Sequence, residues 1–439
     1  MRKISFKIVA LMFVFTMILS VNACKATPTT TTSSQVATPT QKAPVTIVLT
    51  GSQNWFKDAQ RELFTDYETA SGNTVDIQVN PDDQNDAVLK AKLATNEIPD
   101  VVMYFNGAAG KTVLQADKYF LDLTDQPYVK EIDEDYLETF MTWDGKVYGI
   151  PFGGMNPWGC FYNLKVFSDL NISEPKTYED LLAASAKIKA AGIIPMYLAG
   201  KDLWPCELWM DAYWIAAIDR NNPGVMDKYA KNEIKFANMP DFVEGLERMR
   251  QYNLSGYFGS NPLSQTYAGA AEALYTGKAA MFPIFEGFLS ETKDQYPDMK
   301  DKLGYMPFPV TGDDDYGTGS SGSLYINKSG KNIDACIDMF TYLAKPDVIQ
   351  KFYEAVGAQP FFKGYTISSV SPQAKKAAEA IAAGHQSTIY ADFIPASYGA
   401  STFEGVQDML LGKKTAKQVL ESVDAEIAKN AKAQNLPGW

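Results

Sequence analysis

The sequence predicts an α/β protein of two lobes, on two observations: hydrophobic periods that alternate between strand and helix spacing, and a length beyond that of one domain. One domain takes about 100–200 residues. The 439 residues here are 46% hydrophobic, enough to fill two cores. The alternation opens at Val45-Thr46-Ile47-Val48-Leu49, a β-rich run, after which Phe56, Ala59, Gln60, Leu63, Phe64 and Tyr67 recur at helical spacing until Ser71-Gly72. Val75, Ile77 and Val79 then alternate with polar residues. A helix is expected from about Gln84 to Asn96, and Pro99-Asp100 opens the apolar run Val101-Val102-Met103-Tyr104-Phe105. This repetition predicts a mainly parallel sheet with helices on both faces.

The second half repeats the pattern. Thr177 stands as a helix cap before Leu181, Leu182, Ser185 and Ile188, with Gly192 as the stop. Ile193 to Leu198 reads as a short strand, and a helix near Ala268 to Thr276 leads into the strand Lys278 to Phe282. Leu324-Tyr325-Ile326-Asn327 follows the Gly/Ser-rich stretch from Gly317 to Ser323. Helices dominate from Asp334 onward, one of them opened by Ser371-Pro372 and stopped by Gly384.

The N-terminus is an export signal. Arg2, Lys3 and Lys7 precede the apolar run from Ile8 to Phe15, which is shorter than the roughly 20 residues of a membrane span. It ends in Val21-Asn22-Ala23-Cys24, similar to a bacterial lipobox apart from Asn22. Residues 1–23 are therefore expected as a lipoprotein signal peptide and Cys24 as the lipidated first residue; an ordinary secretory signal would export the chain equally. Residues 24–44, rich in Thr, Pro and Ser, have no apolar period and read as a flexible tether.

Composition narrows the chemistry. A formal charge of −12 argues against nucleic acid. The single histidine, His385, excludes histidine-cluster metal sites and zinc H-E-x-x-H motifs, and its place beside Gly384 reads as a helix end. Cys160, Cys206 and Cys336 show no C-x-x-C spacing and read as small buried hydrophobes. Gly317-Thr318-Gly319-Ser320-Ser321-Gly322 has the letters of a dinucleotide loop, yet it leads into a strand where that loop needs a helix. Gly107 to Thr112 imitates a P-loop but lacks its first glycine. Asp313-Asp314-Asp315 lacks the glutamate that would close a calcium loop and reads as a solvated acidic turn. No cofactor or metal is called for. Paired carboxylates for glycoside hydrolysis stay open as an alternative, because Asp and Glu are many. Glu207 and Asp211 share a helical face, a spacing that suits a structural or binding role.

Tyr148-Gly149-Ile150-Pro151-Phe152-Gly153-Gly154, then Gly159-Cys160-Phe161-Tyr162-Asn163, then Pro175-Lys176-Thr177-Tyr178-Glu179-Asp180-Leu181-Leu182, resemble the signature region of the family 1 extracellular solute-binding proteins of ABC importers. Pro99-Asp100-Val101-Val102 and Gly277-Lys278-Ala279-Ala280-Met281 extend the resemblance over roughly Val45 to Trp439. It implies a periplasmic-binding-protein-like α/β fold, two lobes joined by three crossing segments with the ligand cleft between them. Lobe one would take residues 45–148 and 323–357, lobe two residues 154–318 and 361–439. The implied function is a non-enzymatic, monomeric carbohydrate receptor held on the outer face of the cell membrane by its lipid, delivering a sugar or oligosaccharide to ABC permease subunits. A polyamine or peptide receptor and an exported carbohydrate-active enzyme are the rival readings.

The candidate ligand contacts are Asn54, Tyr104, Asn106, Trp158, Trp204, Glu207, Trp209, Glu286, Phe288 and Gln359. Sugars stack their C–H faces on aromatic planes and bond their hydroxyls to amides and carboxylates, and the chain holds 7 Trp, 24 Tyr and 24 Phe.

Overall fold

The computed structural model describes residues 43–81, 84–218, 221–310, 312, 314–319, 321–389, 400–433 and 435–439, and Pro44 to Trp439 forms one compact unit. The expected signal peptide, Cys24 and the expected tether up to residue 42 lie outside the described residues. Strands follow in chain order: β1 Thr46–Ser52, β2 Thr74–Asn80, β3 Val101–Phe105, the hairpin β4 Thr142–Trp143 and β5 Lys146–Val147, β6 Gly149–Pro151, β7 Trp158–Asn163, β8 Ile194–Met196, β9 Ala279–Phe285, β10 Leu303–Met306, β11 Tyr316–Thr318, β12 Gly322–Ile326 and β13 Gln386–Thr388. Among the described residues they build a five-stranded sheet of order β2-β1-β3-β12-β6 and a six-stranded sheet running β13-β11-β7-β9-β8, with β10 also on β7.

Each sheet is the middle of an α/β lobe. In lobe one the helices Asp58–Ser71, Ile333–Leu343 and Pro346–Val356 bring Leu63, Phe64, Tyr67, Met339, Phe340 and Phe352 against Ile47, Leu49 and Met103 of the strands. Gly72 ends the first of these helices in the left-handed region, as a C-terminal glycine does. In lobe two the helices Tyr178–Ala190, Pro240–Leu254 and Ala416–Ala433 pack around Trp209 and Trp214. The first of them starts in a full capping box: the Thr177 hydroxyl accepts from the Asp180 amide, and the Asp180 carboxylate accepts from the Thr177 amide. Ser371 caps the helix Pro372–Ala382 through the Ala374 amide.

The expectation of mainly parallel sheets needs correction. β1, β2 and β3 are parallel, but β12 runs against both β3 and β6, and β7 runs against β9, β10 and β11. The reason lies in the crossings. Lobe one's strands end at one edge, where Gly322 of β12 starts opposite Phe105, the last residue of β3. Lobe two is entered likewise: Trp158 starts β7 opposite Phe285, the last residue of β9. A strand that arrives from the other lobe enters where the resident strands finish, so it must run the opposite way.

Residues 152–157 carry the chain from β6 to β7, and it returns between Thr318, the end of β11, and Gly322, the start of β12. The third passage differs in detail from the expected boundary at 361. After the Gln359 bridge to Met155, the segment returns to lobe one, where Phe361, Phe362, Ile367 and Val370 join the core of the first sheet. Ala374 of the next helix still packs there, whereas Ala377 packs in lobe two.

Candidate functional site

The two sheet edges that face each other across the crossings define a cleft. Lobe one contributes the turn Gln53–Trp55 after β1 and the end of β3. Lobe two contributes the start of β7, the residues after β9 and the segment Gly200–Glu207 after β8. The ends of strands at such a crevice are where α/β folds hold ligands, because the loops there are free of the core.

Two aromatic pairs stand on these edges. On lobe one, half-buried Trp55 meets Phe105 edge-on, with ring centres 4.9 Å apart, and Phe105 keeps 42% of its surface exposed. On lobe two, half-buried Trp158 meets half-buried Phe285 edge-on at 5.6 Å. Beside them half-buried Trp204 leans on Tyr267 at 5.0 Å, and Glu207 is half-buried one turn later. Asn54 is exposed next to Trp55. Half-buried Gln359 sits on the crossing, its carbonyl accepting the Met155 amide at 2.8 Å.

The remaining candidates are placed behind this surface. Tyr104 is buried in lobe one and donates its hydroxyl to Asp86 at 2.8 Å. Asn106 is buried too; its amide donates to the Tyr136 hydroxyl at 2.9 Å and its carbonyl accepts from Tyr325 at 2.7 Å. The Tyr136 hydroxyl also accepts from the backbone of Ser321 at 3.0 Å, and its ring stacks on Phe361 at 3.6 Å. One tyrosine therefore ties a passage to the lobe-one core. Trp209 is 2% exposed, wedged between Tyr252, Phe258 and Phe308, with its indole donating to the Gly245 carbonyl at 3.0 Å. Phe288 is likewise core, against Phe161 and Phe282. These rings have apolar neighbours on every side that the alternation pattern does not distinguish from a cleft wall.

Glu286, the residue after β9, is buried, and its carboxylate accepts from the Ser371 hydroxyl. Burial pushes its carboxyl up to about 7, and the Ser371 hydrogen bond opposes that rise.

Other sequence motifs resolve structurally. The helix Gly107–Leu114 follows β3, and a side chain on Gly110 would lie 2.0 Å from the Phe105 carbonyl, so the P-loop letters there serve close packing. Gly317 to Gly322 spans β11, a passage and β12 with no helix after it. In the acidic turn Asp314 pairs with Lys176 at 3.2 Å, but Asp315 is buried, contrary to a solvated reading, and lies 3.7 Å from His385. Among the described residues no group of three acidic, Cys or His side chains could hold a metal ion, and Cys160, Cys206 and Cys336 are buried free thiols. Burial raises all three thiols, Cys206 and Cys336 to about 12.

Sequence reasoning did not single out Trp55, Phe105 and Phe285, which stand at these strand ends. The signal was there: each is an aromatic at or just after a strand end, the place where a side chain leaves the sheet.

Two α/β lobes, each built on its own sheet and joined where the strand ends meet, make up a two-lobed fold. A family model described as bacterial extracellular solute-binding protein matches residues 50–350. The chain belongs to that family, whose members are binding proteins. The multiple sugar-binding protein of Streptococcus mutans is 24% identical over 291 residues, 65% of this chain and 68% of the relative. The sn-glycerol-3-phosphate-binding periplasmic protein UgpB of Shigella flexneri is 24% identical over 300 residues, 64% of this chain and 65% of the relative. Among solved structures, a chitin oligosaccharide binding protein shares the fold with a TM-score of 0.73 at 21% identity, covering 88% of this chain and 99% of that one. Among the described residues no helix is long and apolar enough to cross a membrane.

Proposed function

We propose that the chain captures a sugar or oligosaccharide in the cleft and hands it to the permease of an ABC importer, without chemical conversion. The observation that carries this reading is the pair of aromatic couples, Trp55 with Phe105 and Trp158 with Phe285, one on each lobe edge. Flat rings on opposed walls suit the two faces of a pyranose, whereas a polyamine would call for several carboxylates around one cation. The sugar-binding relative supports the same class. UgpB keeps a phosphate ester as the rival ligand.

Direct contacts are then Asn54, Trp55, Phe105, Trp158, Trp204, Glu207, Phe285 and Gln359. Tyr104, Asn106, Trp209, Glu286 and Phe288 act behind them as supports for the walls and passages. Cys24 carries the lipid, residues 24–44 form the tether, and the receptor works as a monomer on the outer face of the membrane. The lobes exchange chain at 152–157, between Thr318 and Gly322, and last between Val370 and Pro372.

A thermal-shift screen of residues 44–439 tests the reading against mono- and oligosaccharides, sn-glycerol 3-phosphate, polyamines and peptides, with product analysis of each hit. A ligand that binds only the folded state raises the melting temperature by mass action. A shift with an intact glycan is the expected result. Shifts confined to the phosphate ester, cations or peptides, or breakdown of the glycan, overturn it.

A further inference from the structure

The lobes are joined by more than the three passages. The helix Phe288–Thr292 belongs to lobe two, where Phe288 and Leu289 are core, yet its outer side reaches across to lobe one with two charges of opposite sign. Glu291 pairs with Lys57 at 3.0 Å, and Lys57 stands immediately before the lobe-one helix Asp58–Ser71. Lys293 donates to the carbonyl of Ala355 at 2.7 Å, in the last turn of the lobe-one helix Pro346–Val356.

A base at a helix C-terminus, as Lys293 is at the last turn of Pro346–Val356, is favoured by the peptide dipoles. Tyr267 holds Glu291 in place, donating its hydroxyl to the second carboxylate oxygen at 2.9 Å. Both partners lead back to the proposed contacts: Tyr267 carries Trp204 on its ring, and Lys57 follows Trp55 by two residues.

We propose that Glu291 and Lys293 form an electrostatic clamp between the lobes, which holds the ligand-free receptor partly closed and so sets its open-to-closed ratio. On this proposal the bonds are made when the lobes come together and broken when they part, so their free energy enters the closed state alone. Both ion-pair side chains are partly exposed, at 47% and 29%. Its contribution is therefore that of a screened surface pair, a few-fold shift of the population and not a lock.

The test reads the lobes directly, with no ligand needed. Spin labels go on Thr69→Cys in lobe one and Glu421→Cys in lobe two, both exposed, while the native Cys160, Cys206 and Cys336 are buried. Pulsed electron–electron resonance then gives the distance distribution. Glu291→Gln, Lys57→Met and Lys293→Met should each raise the open-to-closed ratio about two- to fivefold, as a surface pair allows. High salt should do the same to the parent, Lys57→Arg should restore it, and Lys57→Met with Glu291→Gln should exceed neither single variant by much. Circular dichroism checks that each variant is folded. Distributions that match the parent in Glu291→Gln and in Lys293→Met, or a parent unmoved by salt, overturn the clamp whatever ligand the cleft takes.

Discussion

At the scale of single residues the aromatic side chains separate by what surrounds them. Trp158 is half-buried at the cleft edge and Trp209 is sealed in lobe two with its indole hydrogen-bonded. Trp158→Ala should leave the melting temperature near that of the parent and weaken binding of the screened glycan about tenfold or more, measured by calorimetry. Trp209→Ala should instead cost about 3–5 kcal/mol of stability in urea unfolding, from the cavity it leaves. An unchanged affinity in the first would remove Trp158 from the site. Glu286 gives a pH signature. Its carboxyl lies near 7 in the fold against 4.5 for an ordinary glutamate, so its contribution is fully present below about 4.5 and is lost as pH rises through 7. Between pH 5 and 8 the parent should lose roughly 2–3 kcal/mol more than Glu286→Gln, compared by urea unfolding at both pH values. Neither Trp209 nor Glu286 could be sorted from the sequence: an aromatic and a carboxylate near a strand end carry the same letters whether they face a ligand or a core.

At the scale of elements, what the periodicity could express was legible and what depends on a partner strand was not. The Thr177 capping box, the stop at Gly72 and the Ser371 cap are local chemistry, settled within four residues, and the structure keeps them where the spacing puts them. Strand direction is non-local. Nothing within β7 or β12 says that each arrives from the opposite lobe, and so their reversal escaped the reading. The strand β13 escaped because three residues, Gln386–Thr388, are too few for any period. The passages themselves make a testable contact. A side chain on Gly154 would lie 2.4 Å from the Cβ of Ala358, where the first passage presses on the segment whose Gln359 bridges to Met155. Gly154→Ala should destabilise the protein by about 1–3 kcal/mol, the usual effect of overpacking. Ala358→Gly should recover most of that in the double variant. Additive losses in chemical denaturation would remove the contact from the account.

At the scale of the whole molecule, both cores depend on chain that lies far apart in sequence. Lobe one gathers residues from Ile47 to Ala374, and lobe two from Cys160 to Ala431. Asp424 fastens the long C-terminal helix by accepting from the Tyr229 hydroxyl at 2.9 Å and from the amides of Phe236 and Ala237 at 3.1 and 3.0 Å. Asp424→Ala leaves those buried donors without their acceptor and should cost roughly 2–4 kcal/mol. Tryptophan fluorescence and circular dichroism should report the same midpoint shift, because the lobes share chain through three passages. Separate midpoints would mean that the lobes unfold independently. The interleaving also bears on passage out of the cell. The first core lacks Phe361, Phe362 and Val370 until they have been made, and the second lacks its closing helix until almost the last residue. A chain bound for export gains from this: with neither core closed until those late segments are made, it offers less folded structure to a narrow translocation pore.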